Sequence, residues 1–218
     1  MIPFSSKQFL DVFARYNLAV WPAQWILLGL GLCGIALALP KTKGFSRSIN
    51  LVLMVLWLWS GLVYHLIFFR AINRAALIFG LAFLIQSLLF VYAGLVQRRL
   101  AFKVTPNSYG ITGGLFLLYA LAIYPVLSYF LGHRYPATPT FGVPCPITIY
   151  TFGMIWWSRR AIPLYVMIIP FVWSLIGFSA ALSLGMFEDF GLVVAGVSTL
   201  PFVLMHSWKL STSDSWPK

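Results

Sequence analysis

The sequence predicts an all-α polytopic membrane protein: a bundle of seven transmembrane helices, N-terminus outside and C-terminus inside. Three observations predict it. The 218-residue chain is 61% hydrophobic and only 9% charged, where a soluble domain carries about 25% charged residues. Apolar runs follow one another at about 20 residues each, the length that crosses a bilayer as a helix. Fifteen basic residues, opposed by four acids, sit in the short loops between those runs. That pattern orients membrane proteins and meets anionic lipid. The net charge of +11 is therefore no nucleic-acid footprint, and no nucleic-acid partner is expected.

Three regions follow in order: an interfacial helix over residues 1–16, a seven-helix membrane domain over 17–208, and a flexible cytoplasmic tail over 209–218. In SSKQFLDVFARY, residues 5–16, Ser5 and Gln8 have the spacing of a capping box. Phe9, Leu10, Phe13 and Tyr16 share one face, with Lys7, Asp11 and Arg15 toward the other. Such a helix lies in the headgroup plane. Its simplest role is a lead-in to the first span; the alternative is a lid. The first apolar run lacks an A-x-A site, so it is expected to stay as a helix.

Span 1 covers residues 17–39, with Trp21 and Pro22 at its start, Gly29, Gly31 and Gly34 for close helix approach, and Pro40 at its end. Span 2 covers 49–69 and holds Ser60, Tyr64 and His65. Arg70, Arg74 and a capping Asn73 form the turn to span 3, 75–96, which contains Gln86. A loop with a Pro-Asn-Ser turn leads to span 4, 110–131, which Pro125 is expected to kink. Span 5 is short, about 147–157. Span 6 covers 162–184, with Pro163 in its first turn, Pro170 inside and Gly185 as C-cap. Span 7 covers 186–208 and opens on Glu188 and Asp189.

Counting Lys and Arg sets the orientation. With the N-terminus outside, the inner side holds ten: Lys41, Lys43, Arg47, Arg98, Arg99, Lys103, Arg159, Arg160, Lys209 and Lys218. The outer side holds five: Lys7, Arg15, Arg70, Arg74 and Arg134. The positive-inside rule favours this arrangement. A six-span version with a re-entrant span 5 would put Arg159 and Arg160 outside and weaken the asymmetry.

The orientation gathers unusual residues at the outer end. His65 and Tyr64 close span 2, His133 and Arg134 follow span 4, Cys145 precedes span 5, Glu188 and Asp189 open span 7, and Arg70 and Arg74 stand nearby. His206 alone falls at the inner end, where an interfacial role is simplest. Singly each has an ordinary explanation: acids suit a helix first turn, and Arg134 reads as a snorkelling anchor. Together they read as a site, since ionisable residues at bilayer depth are usually functional and paired.

Span 5 adds a mechanism. Ile147 to Trp157 covers about 16 Å as a helix, against a hydrocarbon core of ~30 Å. Either Ser158, Arg159 and Arg160 extend it and snorkel, or TPTFGVPCP descends as irregular chain. Such chain is tolerated only when buried in protein or lining a wet cavity. In the second case the helix starts inside the membrane with Cys145 at its N-terminus, where a thiolate is favoured. In the first, Cys145 is an inert buried thiol. Cys33 and Cys145 are expected to stay unbridged.

The strings MIPFSSKQFLDVFARYNLAVWPAQ, WSGLVYHLIFFRAIN, GHRYPATPTFGVPCPITIYTFG and GMFEDFGLVVAG resemble a bacterial family of multi-pass membrane proteins catalogued only as a domain of unknown function. The resemblance covers nearly the whole chain. It implies an intact membrane protein and transfers no catalytic role.

No H-E-x-x-H, G-x-S-x-G or P-loop is present, so the chain leans away from an enzyme. A retinal protein needs a lysine within its last helix. Span 7 has none before Lys209, so no retinal is expected. The expectation is a protein of the cell inner (plasma) membrane with an outward-facing pocket that binds or transports a small solute or metal ion. His65, His133, Cys145, Glu188 and Asp189 form that pocket, with Tyr64, Arg70 and Arg134 around it. His65, His133 and Cys145 are candidate ligands for a transition-metal ion. One alternative is a membrane-embedded, metal-dependent hydrolase. Another is an accessory subunit of a larger membrane complex, or a homo-oligomer, with its aromatic surface as the contact face.

Overall fold

A computed structural model describes residues 3–39 and 44–213, with side chains through Met205. Lys41 and Lys43, the side chain of His206 and the last tail residues, 214–218, fall outside the described residues. The described elements are all helices, joined by turns and irregular loops that carry two isolated β-bridges. Five helices are long and apolar enough to cross a membrane, and a bent pair makes six if counted as one span.

Helix α1 spans Ser6–Ala19. Its capping box is complete: Gln8 N–H donates to Ser5 Oγ, and Ser5 N–H donates to Gln8 Oε1. Val12, Phe13 and Tyr16 are buried, while Lys7, Asp11 and Arg15 are exposed. Helix α2, Ala23–Ala38, leaves α1 at 89°. Pro22 explains the break, because it has no N–H to continue the ladder. The first span is therefore not one straight helix from residue 17; Asn17–Ala19 belong to α1.

Helix α3 runs Ser46–Ala71 and is π-helical over Ser60–Phe68. Helix α4 is Ala76–Val96, introduced by Asn73 Oδ1 accepting from Ala75 N–H. Helix α5 is Ser108–Phe130, capped by Asn107 Oδ1 on Gly110 N–H. Its π-turn at Tyr119–Ile123 directly precedes Pro125, whose ring cannot sit against the Leu121 carbonyl in a regular helix. Helix α6 is Pro144–Trp156, α7 is Tyr165–Leu184, and α8 is Phe190–Ser213 after a 3₁₀ turn at Phe187–Asp189. Gly185 ends α7 at φ 76°, a left-handed conformation that a Cβ would strain. The first residues of the expected tail continue α8 as helix.

Helix α6 is the axle. Residues 146–155 are all buried, as expected of a helix apolar all round. It packs against α3, α5, α7 and α8. Its polar atoms are satisfied locally or by neighbours. Thr148 and Thr151 hydroxyls donate to the carbonyls of Pro144 and Ile147 (2.8 Å each), and Thr151 accepts from Trp57 Nε1 at 2.9 Å. Tyr150 donates to Gly31 O of α2, and Trp156 Nε1 to Thr199 of α8. Against α5 the contact is backbone to backbone: a Cβ on Gly113 would stand 2.8 Å from Gly153 O. Only small residues allow that approach.

Pro170, inside α7, frees the Val166 carbonyl four residues earlier. Gln86 of α4, fully buried, donates its amide to that carbonyl at 3.0 Å. A polar residue in the middle of an apolar span is thus explained by a proline on its neighbour.

Candidate functional site beneath the amphipathic helix

Helices α3, α5 and α7 end, and α4, α6 and α8 begin, at the end of the bundle that α1 crosses. Phe9 and Phe13 of α1 stack among Phe69 and Tyr64 of α3, Tyr16 accepts from Trp59 Nε1 at 2.8 Å, and Ser6 Oγ donates to Leu184 O at the end of α7. A cavity of ≈ 250 Å³ lies beneath this roof. Its lining includes Phe4, Phe9, Phe13, Tyr64 and Phe69 together with Tyr124, Cys145, Trp173 and Asp189.

The first turn of α6 forms part of the wall. Trp157 Nε1 donates to Gly110 O near the start of α5, and Gly153 meets Gly113, so α5 and α6 run antiparallel. Tyr124 and Cys145 meet at the cavity. Helix α6 therefore begins level with Tyr124, about 9 Å short of the end of α5 at 1.5 Å per residue. The segment from His133 to Val143 descends as irregular chain, and Asn17 holds it. Asn17 Nδ2 donates to Pro136 O and Thr138 O (2.7 Å each), and Thr140 Oγ1 donates to Asn17 Oδ1 at 2.8 Å. Gln24 Nε2 donates to Asn17 O at 2.6 Å. Fully buried, Asn17 supplies the partners that water would otherwise provide.

The two acids divide the site. Asp189, 4% exposed, accepts from the Tyr124 hydroxyl at 2.6 Å and stands beside the Cys145 thiol, which also neighbours the Trp173 indole. Glu188, fully buried, points away from the cavity lining. Its Oε1 accepts from His133 Nδ1–H at 2.8 Å and from Ser128 Oγ at 3.0 Å, and Oε2 has no partner among the described residues. Ser128 shares a further hydrogen bond with Thr138, and Tyr119 donates to the Glu188 carbonyl at 2.7 Å. Glu188 therefore ties α5 and the descending loop to the start of α8, while Asp189 faces the space.

His65 is fully buried within the π-helical stretch, ringed by Tyr64, Phe69, Phe79, Phe83 and Trp173 at 4.8–5.9 Å between centroids. Neither ring nitrogen has a hydrogen-bond partner among the described residues. It stands behind Tyr64 and Trp173 rather than on the cavity wall. Arg134 is exposed over the Tyr129 ring at 5.0 Å, and Arg70 is exposed at the end of α3. Neither lines the cavity.

Of the residues singled out in the sequence, Tyr64, Cys145 and Asp189 meet at one cavity, Glu188 and His133 pair beside it, and His65 forms a second layer. No group of three or more His, Cys, Asp or Glu side chains fit to hold a metal ion is found among the described residues. His65, His133 and Cys145 each have separate surroundings. Sequence reasoning missed Tyr124, Ser128, Trp173 and Asn17. Tyr124 and Ser128 carried a signal, being polar residues one helical turn apart on an apolar span, either side of Pro125.

No curated protein and no solved structure matches the chain. A protein-family model described as a family of unknown function matches residues 6–213. The chain belongs to that family, DUF6064.

Proposed function

We propose that this is a multi-pass protein of the cell inner membrane, N-terminus outside, whose outward-facing pocket binds a small solute bearing an organic cation. Short α6 is the fifth of seven crossings, completed by the irregular chain before it and by Arg159 and Arg160 after it. The surplus of basic residues on the opposite loops supports the orientation.

One observation carries the ligand class. Asp189 is almost wholly buried at the wall of a cavity whose lining includes eight aromatic rings, and no cationic side chain pairs with it among the described residues. A buried acid is costly without a counter-charge, and Tyr, Trp and Phe faces attract cations. An ammonium or guanidinium group fits both. The ≈ 250 Å³ volume falls just under the ~300 Å³ at which ordinary ligand pockets begin, so the solute is small. Below the cavity, Trp57, Phe83 and Phe90 are buried against one another, which supports binding over open passage in this state.

The test is thermal unfolding of the purified protein in neutral detergent with tetramethylammonium, propylammonium or guanidinium chloride, against sodium chloride at equal ionic strength. At least one organic cation should raise Tm by several degrees. Asp189→Asn, which keeps an acceptor for Tyr124, should weaken that response about tenfold in concentration. Equal Tm in all four salts, or an unchanged response in Asp189→Asn, overturns the reading.

A further inference from the structure

At the far end of the bundle, two loops are sewn into one strap. Phe102 and Ser158 form an antiparallel bridge. Lys103 N–H donates to Trp157 O at 2.9 Å and Arg159 N–H to Ala101 O at 2.8 Å. The Arg160 guanidinium donates to Arg98 O, with Arg98 itself held at φ 54°. Phe102 N–H donates to Ser46 Oγ at the start of α3, and Val104 N–H to Ala38 O at the end of α2. Between strap and helix ends lies a basin of ≈ 530 Å³.

Five cations line this basin: Arg47, Arg98, Lys103, Arg159 and Arg160. No acid is among its lining residues, and the ion pair found among the described residues, His133–Glu188, belongs to the other end. Helix α3 starts here with no side-chain cap and no acid in its first turn, so its free N–H groups and dipole add to the positive field. Leu37, Phe45, Leu100 and Phe102 supply apolar lining. Loop cations that only orient a membrane protein can spread apart in water. Here backbone hydrogen bonds hold the segments that carry them together, and their mutual repulsion is relieved by a multiply charged anion. Arginine forks match phosphate oxygens two at a time.

We propose that this basin is a binding site for a phosphate-bearing anion, separate from the pocket beneath α1. The phosphate comes either from the headgroup of an anionic lipid or from a soluble phosphate compound. The same site chemistry serves both, and the experiment separates them.

The purified protein is reconstituted in phosphatidylcholine nanodiscs, then in discs with one third phosphatidylglycerol, and separately titrated in phosphatidylcholine discs with pyrophosphate. Tm is followed for wild type, for Arg47→Gln/Arg159→Gln, whose side chains make no hydrogen bond among the described residues, and for Arg70→Gln/Arg74→Gln as an equal-charge control at the other end. Phosphatidylglycerol or pyrophosphate should raise the Tm of wild type and control by several degrees, and the basin variant should lose more than half of that rise. A rise with phosphatidylglycerol alone assigns the headgroup. A rise with pyrophosphate assigns a soluble phosphate. No rise with either, or the same rise in the basin variant as in the control, overturns the proposal.

Discussion

Tyr124 of α5 donates its hydroxyl to Asp189 Oδ1, at the turn into α8, at 2.6 Å, and both side chains are buried. This contact fixes the cavity wall, because it joins the Pro125 region of α5 to the start of α8. Tyr124→Phe removes the donor and keeps the ring. Hydrogen bonds within membrane bundles contribute about 0.6–2 kcal/mol. Tyr124→Phe should therefore lower stability by about that amount in reversible denaturation. It should also alter the response to organic cations, while Tyr129→Phe, on an exposed ring, should change neither.

Glu188 depends on His133 and Ser128 in the same way, with a larger penalty for breaking the set. His133→Ala leaves a fully buried carboxylate with Ser128 as its remaining side-chain donor, and should destabilise by about 1–3 kcal/mol. Glu188→Gln carries no charge and should cost less. The double variant His133→Ala/Glu188→Gln should be more stable than His133→Ala alone. Additive losses would show that the two side chains are not coupled.

Gln86 and Pro170 predict a second coupling. In the native protein, Gln86→Leu leaves the Val166 carbonyl without its donor. In a Pro170→Ala background, the restored backbone N–H serves that carbonyl instead. The loss caused by Gln86→Leu should be smaller in the second background, with a coupling energy of about 1 kcal/mol. Equal losses in both backgrounds would remove the explanation offered for Gln86.

The orientation is open to labelling. In a Cys33→Ser/Cys145→Ser background, a cysteine at Lys7 should react with a membrane-impermeant maleimide added to intact cells, and one at Arg99 only after lysis. Reactivity of the Arg99 position in intact cells would reverse the topology proposed above.

Much of the helix framework was legible in the sequence, because its signals act over a few residues. The Ser5–Gln8 box and the Gly185 C-cap appear in the structure, each concerning atoms within four residues of one another, whereas the cap expected at Asn73 falls at Ala75, whose N–H donates to the Asn73 side chain. Hydropathy likewise marked the five long helices. It placed the start of the first span at residue 17, whereas α1 runs on to Ala19 and α2 starts at Ala23, because hydropathy records where apolar residues are and not where one helix ends and the next begins.

The sequence by itself determined an all-helical chain of membrane character and a cluster of unusual residues near helix ends. Only the tertiary structure decided which of them meet. Glu188 and Asp189 are neighbours in the chain with the same chemistry, yet one braces a loop and the other faces a cavity, because successive side chains on a 3₁₀ turn diverge by about 120°. Asn17 meets the loop before α6 across more than a hundred residues. No local pattern encodes such a contact; it follows from how α1, α5 and α6 pack once their backbone groups, shut away from water, must find partners within the protein.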